Sequence, residues 1–254
     1  TFSGAQIDTI LNNLGGANGT SSTGLSGGST IGLAAGSQTT ISANIADSSN
    51  GAISLTVFGG SSRIILTGTN TYTGTTTINS GSLSIGAGGT TGSLSVNSTI
   101  INNGILAINR SDTVTQGIDF APGISGSGSL TLVSGTLILS GNNTYTGGTT
   151  VNGGGTLSVA QIGNTGSASP IGTNGTINLG NGGASLSLIY TGSGETTDKV
   201  INLSNTTGPV TIQIDNANAA LKFTSNLTAT GAGSKTLTLT GNGSGELAGS
   251  IVNN

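Results

Sequence analysis

The sequence predicts an all-β chain whose short strands stack as a β-solenoid, a stiff rod around a thin core. Three observations predict it. Apolar residues alternate with polar ones in short bursts, Gly-rich pairs separate the bursts, and a long segment recurs without gaps. The bursts run through Ile53/Leu55/Val57, Leu83/Ile85, Leu94/Val96, Leu106/Ile108, Leu130/Leu132, Leu137/Leu139 and Leu157/Val159. They continue through Ile177/Leu179, Leu186/Leu188, Ile201/Leu203, Val210/Ile212/Ile214, Leu221/Phe223 and Leu237/Leu239. Between them stand Gly-Gly, Asn-Gly, Ser-Gly and Gly-Ser pairs, residues that reach positive φ cheaply and turn the chain.

Composition agrees with a thin core. Of 254 residues 47 are Gly, only 5% are charged and 3% aromatic, and Cys, Met, Trp and His are absent. Disordered chains lack aliphatic and β-branched residues, whereas here Ile, Leu, Val and Thr recur at regular intervals. The five basic residues, Arg63, Arg110, Lys199, Lys222 and Lys235, are scattered and the net charge is -3, so no phosphate-binding stripe and no nucleic-acid partner is expected. No apolar run approaches the ~18 residues that span a bilayer, so this segment is not expected to insert into a membrane. The lack of Cys excludes disulfides and thiolate metal sites and permits an oxidising compartment. A start at Thr1, without Met or signal peptide, reads as a processed or trimmed product.

The repeat decides the architecture. Leu66 to Asn79 reads LTGTNTYTGTTTIN and Leu139 to Asn152 reads LSGNNTYTGGTTVN, an offset of 73 (139 − 66) with ten of fourteen positions identical. Each is followed by a Gly-rich turn and a second strand, to Ile85 and to Val159. A degenerate third copy starts at Leu237, LTLTGNGSGELAGSI. Stacked coils about 4.8 Å apart pair the backbone of each coil with its neighbours. At roughly 20 to 25 residues per coil, about ten to twelve coils and a rod of order 50 Å are expected. An antiparallel sandwich also accounts for the alternation, but not for the gapless repeat.

The pattern L-[ST]-G-x-N-T-Y-T-G-x-T-T-[IV]-N, followed by Gly and a second strand, resembles the passenger-associated repeat of bacterial autotransporters. The segment Leu186 to Leu203, containing SLIYTGSGETTDKVINL, is similar to a linker of the same large surface proteins. The resemblance covers about a third of the chain. It implies a right-handed parallel β-helix exported to the cell surface. Such passengers precede a membrane-embedded translocator barrel, which this sequence does not contain.

The first residues break the pattern. Ile7, Ile10, Leu11 and Leu14 form a helical stripe, Ser3 and Gln6 have capping-box spacing, Phe2 can staple onto Ile7, and Gly15-Gly16 supplies a stop. The expected organisation is therefore a short amphipathic N-terminal helix over 1–16, a cap or docking element, and a solenoid over 17–254. The far end, Glu246 to Asn254, reads as mid-coil. It is expected either to continue in a longer protein or to be completed by a neighbour, head to tail, as a filament.

Parallel β-helices also host polysaccharide lyases and hydrolases, whose chemistry needs convergent carboxylates or a base beside cationic groups. The acids are Asp8, Asp47, Asp112, Asp119, Asp198, Asp215, Glu195 and Glu246. Only Arg110/Asp112/Asp119 and Glu195/Asp198/Lys199 lie close together, and both read as turn caps and local ion pairs. Without His and Cys the usual nucleophilic triads and zinc sites are missing, and no calcium-binding repeat occurs. Gly153-Gly154-Gly155 is a turn and no phosphate cradle. The Asn-x-Ser/Thr triplets at Asn18, Asn97, Asn174 and Asn226 follow from composition. Tyr72 and Tyr145 occupy one repeat position and read as packing across a corner, the competing reading being an exposed aromatic ladder. No catalytic residue, metal ligand or cofactor is assigned. The expectation is a non-enzymatic extracellular or cell-surface structural protein, part of an adhesin, stalk or fibre. Its expected partners are copies of itself or the rest of a longer surface protein, with glycan or cell-surface contact besides. A polysaccharide-active β-helix enzyme and a glycan- or surface-binding module are the alternatives.

Overall fold

The computed structural model describes residues 2–13, 25–34, 36–60, 63–180, 183–204 and 208–253. The chain is a parallel β-solenoid; among the described residues there is one helix, and every strand pair joins parallel strands from successive coils. One face stacks Thr30–Ala34, Ser54–Phe58, Thr76–Ile78, Ile100–Asn102 and Ile124–Ser125. A second face stacks ten strands, from Thr39–Ile41 at one end to Ile251–Asn253 at the other. A third face is formed by the later halves of two long bent strands, Ile105–Thr115 and Ser129–Leu139, and then by Thr156–Val159, Leu186–Tyr190, Pro209–Ile214 and Thr236–Gly241.

The alternation seen in the sequence becomes a ladder. On the second face Ile41, Leu66, Ile85, Ile108, Leu132, Val151, Leu179, Leu203 and Ala229 stand on one another in register, all buried. On the third face Leu137, Leu157, Leu188 and Ile212 do the same. Each aliphatic side chain packs on its counterparts one coil away, so burial scales with the number of coils stacked.

Coils are fewer than expected. Ten strands on the second face make nine steps, about 43 Å at ~4.8 Å each. The first strand among the described residues begins at Thr30, and coil length along this face varies from 19 residues (85 − 66, Leu66 to Ile85) to 28 (179 − 151, Val151 to Leu179). The long coil carries an excursion between Val159 and Thr176.

The helix α1 spans Gly4–Asn13. Its capping box is formed as the spacing predicts: the Ser3 N–H donates to Gln6 Oε1 at 2.8 Å, and the Gln6 N–H donates to Ser3 Oγ at 3.3 Å. Leu11 is buried and Ile7 half-buried against the core, whereas Ile10 and Phe2 are exposed. Leu14 and the stop at Gly15-Gly16 lie outside the described residues. Asp8 anchors the helix to the first coil by accepting the N–H groups of Ser42 (2.9 Å) and Ala43 (2.8 Å) and the Ser42 hydroxyl (2.6 Å). Gly4 lets the helix approach closely, since a Cβ there would come 2.0 Å from Thr40 O.

Candidate functional site

The repeat is the most specific feature of the sequence, and its residues have identifiable work. In both copies an Asn lies inside the wall and links three coils. Asn70 Oδ1 accepts the N–H of Ile45 from the coil below (2.8 Å), while its Nδ2 donates to Ser93 O of the coil above (2.7 Å). Asn143 Oδ1 accepts the N–H of Ile124 (2.9 Å), and its Nδ2 donates to Pro170 O (2.6 Å). Asn143 also exchanges two bonds with the buried Gln116 amide (2.7 and 3.2 Å).

Two residues on, the Tyr of each copy is fully buried and its hydroxyl meets the hydroxyl of a Thr four positions later. Tyr72 pairs with Thr76 and Tyr145 with Thr149, both at 2.6 Å. Burial pushes both phenols well above their ordinary pKa, despite the opposing hydrogen bond from Thr. An exposed aromatic ladder is thereby overturned, because neither ring reaches solvent.

Gly148 of the second copy has a positive φ of 88°, as a turn glycine does, but four other repeat glycines serve close approach instead. A Cβ on Gly68 would lie 2.5 Å from Ala43 O and one on Gly141 2.1 Å from Pro122 O. On Gly74 it would lie 2.4 Å from Ile53 O, and on Gly147 2.6 Å from Gly128 O. Glycine is needed there because adjacent backbones approach too closely for any side chain.

The scarce acids are mostly spent on backbone amides. Asp47 accepts the N–H groups of Ile53 and Thr73 (both 2.8 Å) and the Thr73 hydroxyl (2.6 Å). Burial opposes its ionisation, but these hydrogen bonds outweigh burial and hold the carboxyl below its ordinary pKa. Glu195 accepts from Ile162 and Gly163, and Asp198 from Thr165, so both fasten the excursion of the long coil. Lys199, fully buried, donates to the carbonyls of Gly172 and Asn174 in the same excursion, and desolvation lowers its pKa. In the other cluster Arg110 grips Asp112 with two bonds (2.8 and 2.6 Å) and also donates to Gly92 O and Asp119 Oδ1. The Arg110 hydrogen bonds hold the Asp112 carboxyl below its ordinary pKa. In each acid–base cluster the basic side chain is bonded within the chain, and the carboxylates accept from that base or from backbone N–H groups. Among the described residues no group of three or more His, Cys, Asp or Glu side chains converges as metal ligands do.

Concave regions lie beneath the helix, along the wall and at the last coil. A polar groove of about 490 Å³ crosses four coils between Ser42 and Asp119. An apolar cavity of about 250 Å³ opens at the last coil between Ile212, Phe223, Leu239 and Leu247, where Leu239 and Ile251 are 59% and 71% exposed. Sequence reasoning missed the groove. Its residues come from four separate coils, so no local signal marks it.

Known proteins point the same way as the repeat. The family model for the passenger-associated-transport-repeat matches residues 59–85 and 134–159, the two copies described above. The Adhesin BmaC autotransporter of Brucella suis biovar 1 (strain 1330) is 44% identical over 78 residues, 31% of this chain. The chain spans about 2% of the length of that relative. No solved structure matches the chain.

Proposed function

We propose, from its two passenger-associated-transport-repeats, that the chain is a rod segment of a surface-exposed autotransporter passenger, adhesin-type and without catalysis of its own. The observation that carries this reading is the pair of repeats itself, each folded into the same three-coil staple of Asn, Tyr, Thr and closely approached Gly. The printed name of the similar Brucella protein, an adhesin, supports the adhesive part. The engagement of both acid–base clusters within the wall supports a non-catalytic role. In this reading the helix, held by Asp8, caps the first coil and shields its edge.

The exposed edge at Leu239 and Ile251 favours continuation of the stack, by further coils of a longer surface protein or by head-to-tail contact between copies. Sedimentation of the purified segment separates these, since a strict monomer at high concentration removes the head-to-tail variant. For the function itself, latex beads coated with the protein are expected to adhere to host cells or extracellular matrix well above albumin-coated beads. Adhesion no better than albumin sinks the adhesin reading. Turnover of any polysaccharide in a panel, abolished by Asp112→Asn or Asp119→Asn, replaces it with the enzyme.

A further inference from the structure

We infer that the polar groove between Asn44 and Asp119 is a binding site for a neutral oligosaccharide. This inference rests on the adhesin reading and supplies it with a ligand class. The groove crosses four consecutive coils, and its volume of about 490 Å³ lies within the range of ligand clefts.

Two features of its lining bear on a ligand. The first is unspent hydrogen-bonding capacity. At other corners Asp47, Asn70, Asn143, Glu195 and Asp198 are consumed by links between coils. In the groove Asn44 keeps its Nδ2, and Thr69, Thr91 and Ser93 keep their hydroxyls, without a protein partner among the described residues, although Asn44 Oδ1 accepts the Thr69 N–H at 2.7 Å. The second is a floor of closely stacked backbone. Gly68 and Gly92 lie along it, both buried, and a Cβ on either would come 2.5 Å from the carbonyl oxygen of Ala43 or Leu66 in a neighbouring coil.

The wall of the groove defines the ligand further. Asp119 is fixed by Arg110 (3.3 Å) and by the Thr115 N–H (2.8 Å), which leaves carboxylate lone pairs free to accept from a hydroxyl. Beside it Ile118 is 72% exposed and offers an apolar surface to the C–H face of a pyranose ring. The single cation, Arg110, is shared between Asp112 and Asp119, so the local charge is negative and acidic sugars are disfavoured. A ring of hydroxyls with one apolar face and no charge fits these groups.

The test is a ¹⁵N-detected titration of the whole chain with maltotriose, cellotriose, mannotriose and chitotriose, and in parallel with sialyllactose and trigalacturonate. At least one neutral trisaccharide is expected to shift the amides of Thr69, Thr91, Ser93 and Asp119, while the acidic sugars leave them in place. Ile118→Asp is expected to weaken that binding at least tenfold, and Thr69→Trp to abolish it. Both are exposed positions, and an unchanged urea midpoint verifies the fold. Shifts absent from the groove, equal binding of acidic sugars, or indifference to both substitutions overturns the inference. Bead adhesion with the same variants separates the two readings. Undiminished adhesion with a silent groove sinks the groove alone, whereas sugar binding without adhesion sinks the adhesin alone.

Discussion

The two repeat copies have nearly one sequence and one local structure, yet they sit on different sides of the rod. In the first copy Thr76–Ile78 belongs to the five-stranded face, whereas its counterpart Thr149–Val151 belongs to the ten-stranded face. The copies are therefore not related by sliding along the axis, as the stacking picture requires in its simplest form. They differ by three coils and one further face, because coil length is not constant. Even so, the Asn link, the Tyr–Thr hydroxyl pair and the closely approached glycines recur in both. The repeat thus encodes a way of fastening one coil to its neighbours, independent of the face on which it falls. The degenerate third copy differs again: Leu237 and Leu239 lie on the same face as Leu137 and Leu139, but shifted in register, so that the ladder from Leu137 ends on Leu239 and that from Leu139 on Gly241.

The comparison can be broken in four ways. The largest effect is expected at the Asn, where the second copy has more at stake. Asn143→Ala strands the Ile124 N–H, the Pro170 carbonyl and the Gln116 amide, and is expected to cost about 3 to 4 kcal/mol in urea unfolding. Asn70→Ala strands fewer groups and is expected to cost about 2 kcal/mol. Equal losses would show that the Gln116 exchange adds nothing.

Next come the close approaches. Gly141→Ala forces a Cβ against Pro122 O and is expected to cost about 2 to 3 kcal/mol, with Gly68→Ala slightly milder because its contact is longer. A neutral substitution at either position would mean that the coils separate freely. Smaller still, Tyr72→Phe and Tyr145→Phe are each expected to cost about 1 kcal/mol, and to match one another. In each case the Thr keeps a second partner, Ser98 Oγ for Thr76 and Ile171 O for Thr149. Unequal losses would separate the two cores energetically.

The smallest effect concerns pH. Thr73 donates its N–H to Asp47, whereas the equivalent Thr146 donates to a backbone carbonyl, Gly126 O. The folded pKa of Asp47 lies below 3.8, so its clamp contributes fully above pH 3.8 and is lost as pH falls through the folded value. Amide exchange at Thr73, corrected for intrinsic rate, is expected to accelerate on that acid limb while Thr146 does not. Asp47→Asn should abolish the contrast; its persistence would assign the acid sensitivity elsewhere.

Much of this was legible beforehand, for a local reason in each case. Strands follow from alternation, the helix start from Ser3 and Gln6 three residues apart, and the buried Tyr from its place in a repeat. The acid–base clusters read as local caps, and the bonds within Arg110/Asp112 are indeed between neighbours. What escaped depends on the coil beneath. Glycine at 68 and 141 looks like any turn glycine until the carbonyl under it is placed. Glu195 and Asp198 look like a local cap, but they reach back to Ile162, Gly163 and Thr165 in the previous coil.

Residues within one strand or turn settle which segments extend, where the helix starts and which side chains face inward, since these depend on φ/ψ preference and periodicity alone. Coil length, the face each copy occupies and the groove from Asn44 to Asp119 depend instead on how successive turns and excursions sum around the axis. That sum is fixed only when each coil finds its hydrogen-bond register on the one below, and pairing between residues some 19 to 31 positions apart leaves no mark in any short stretch of sequence.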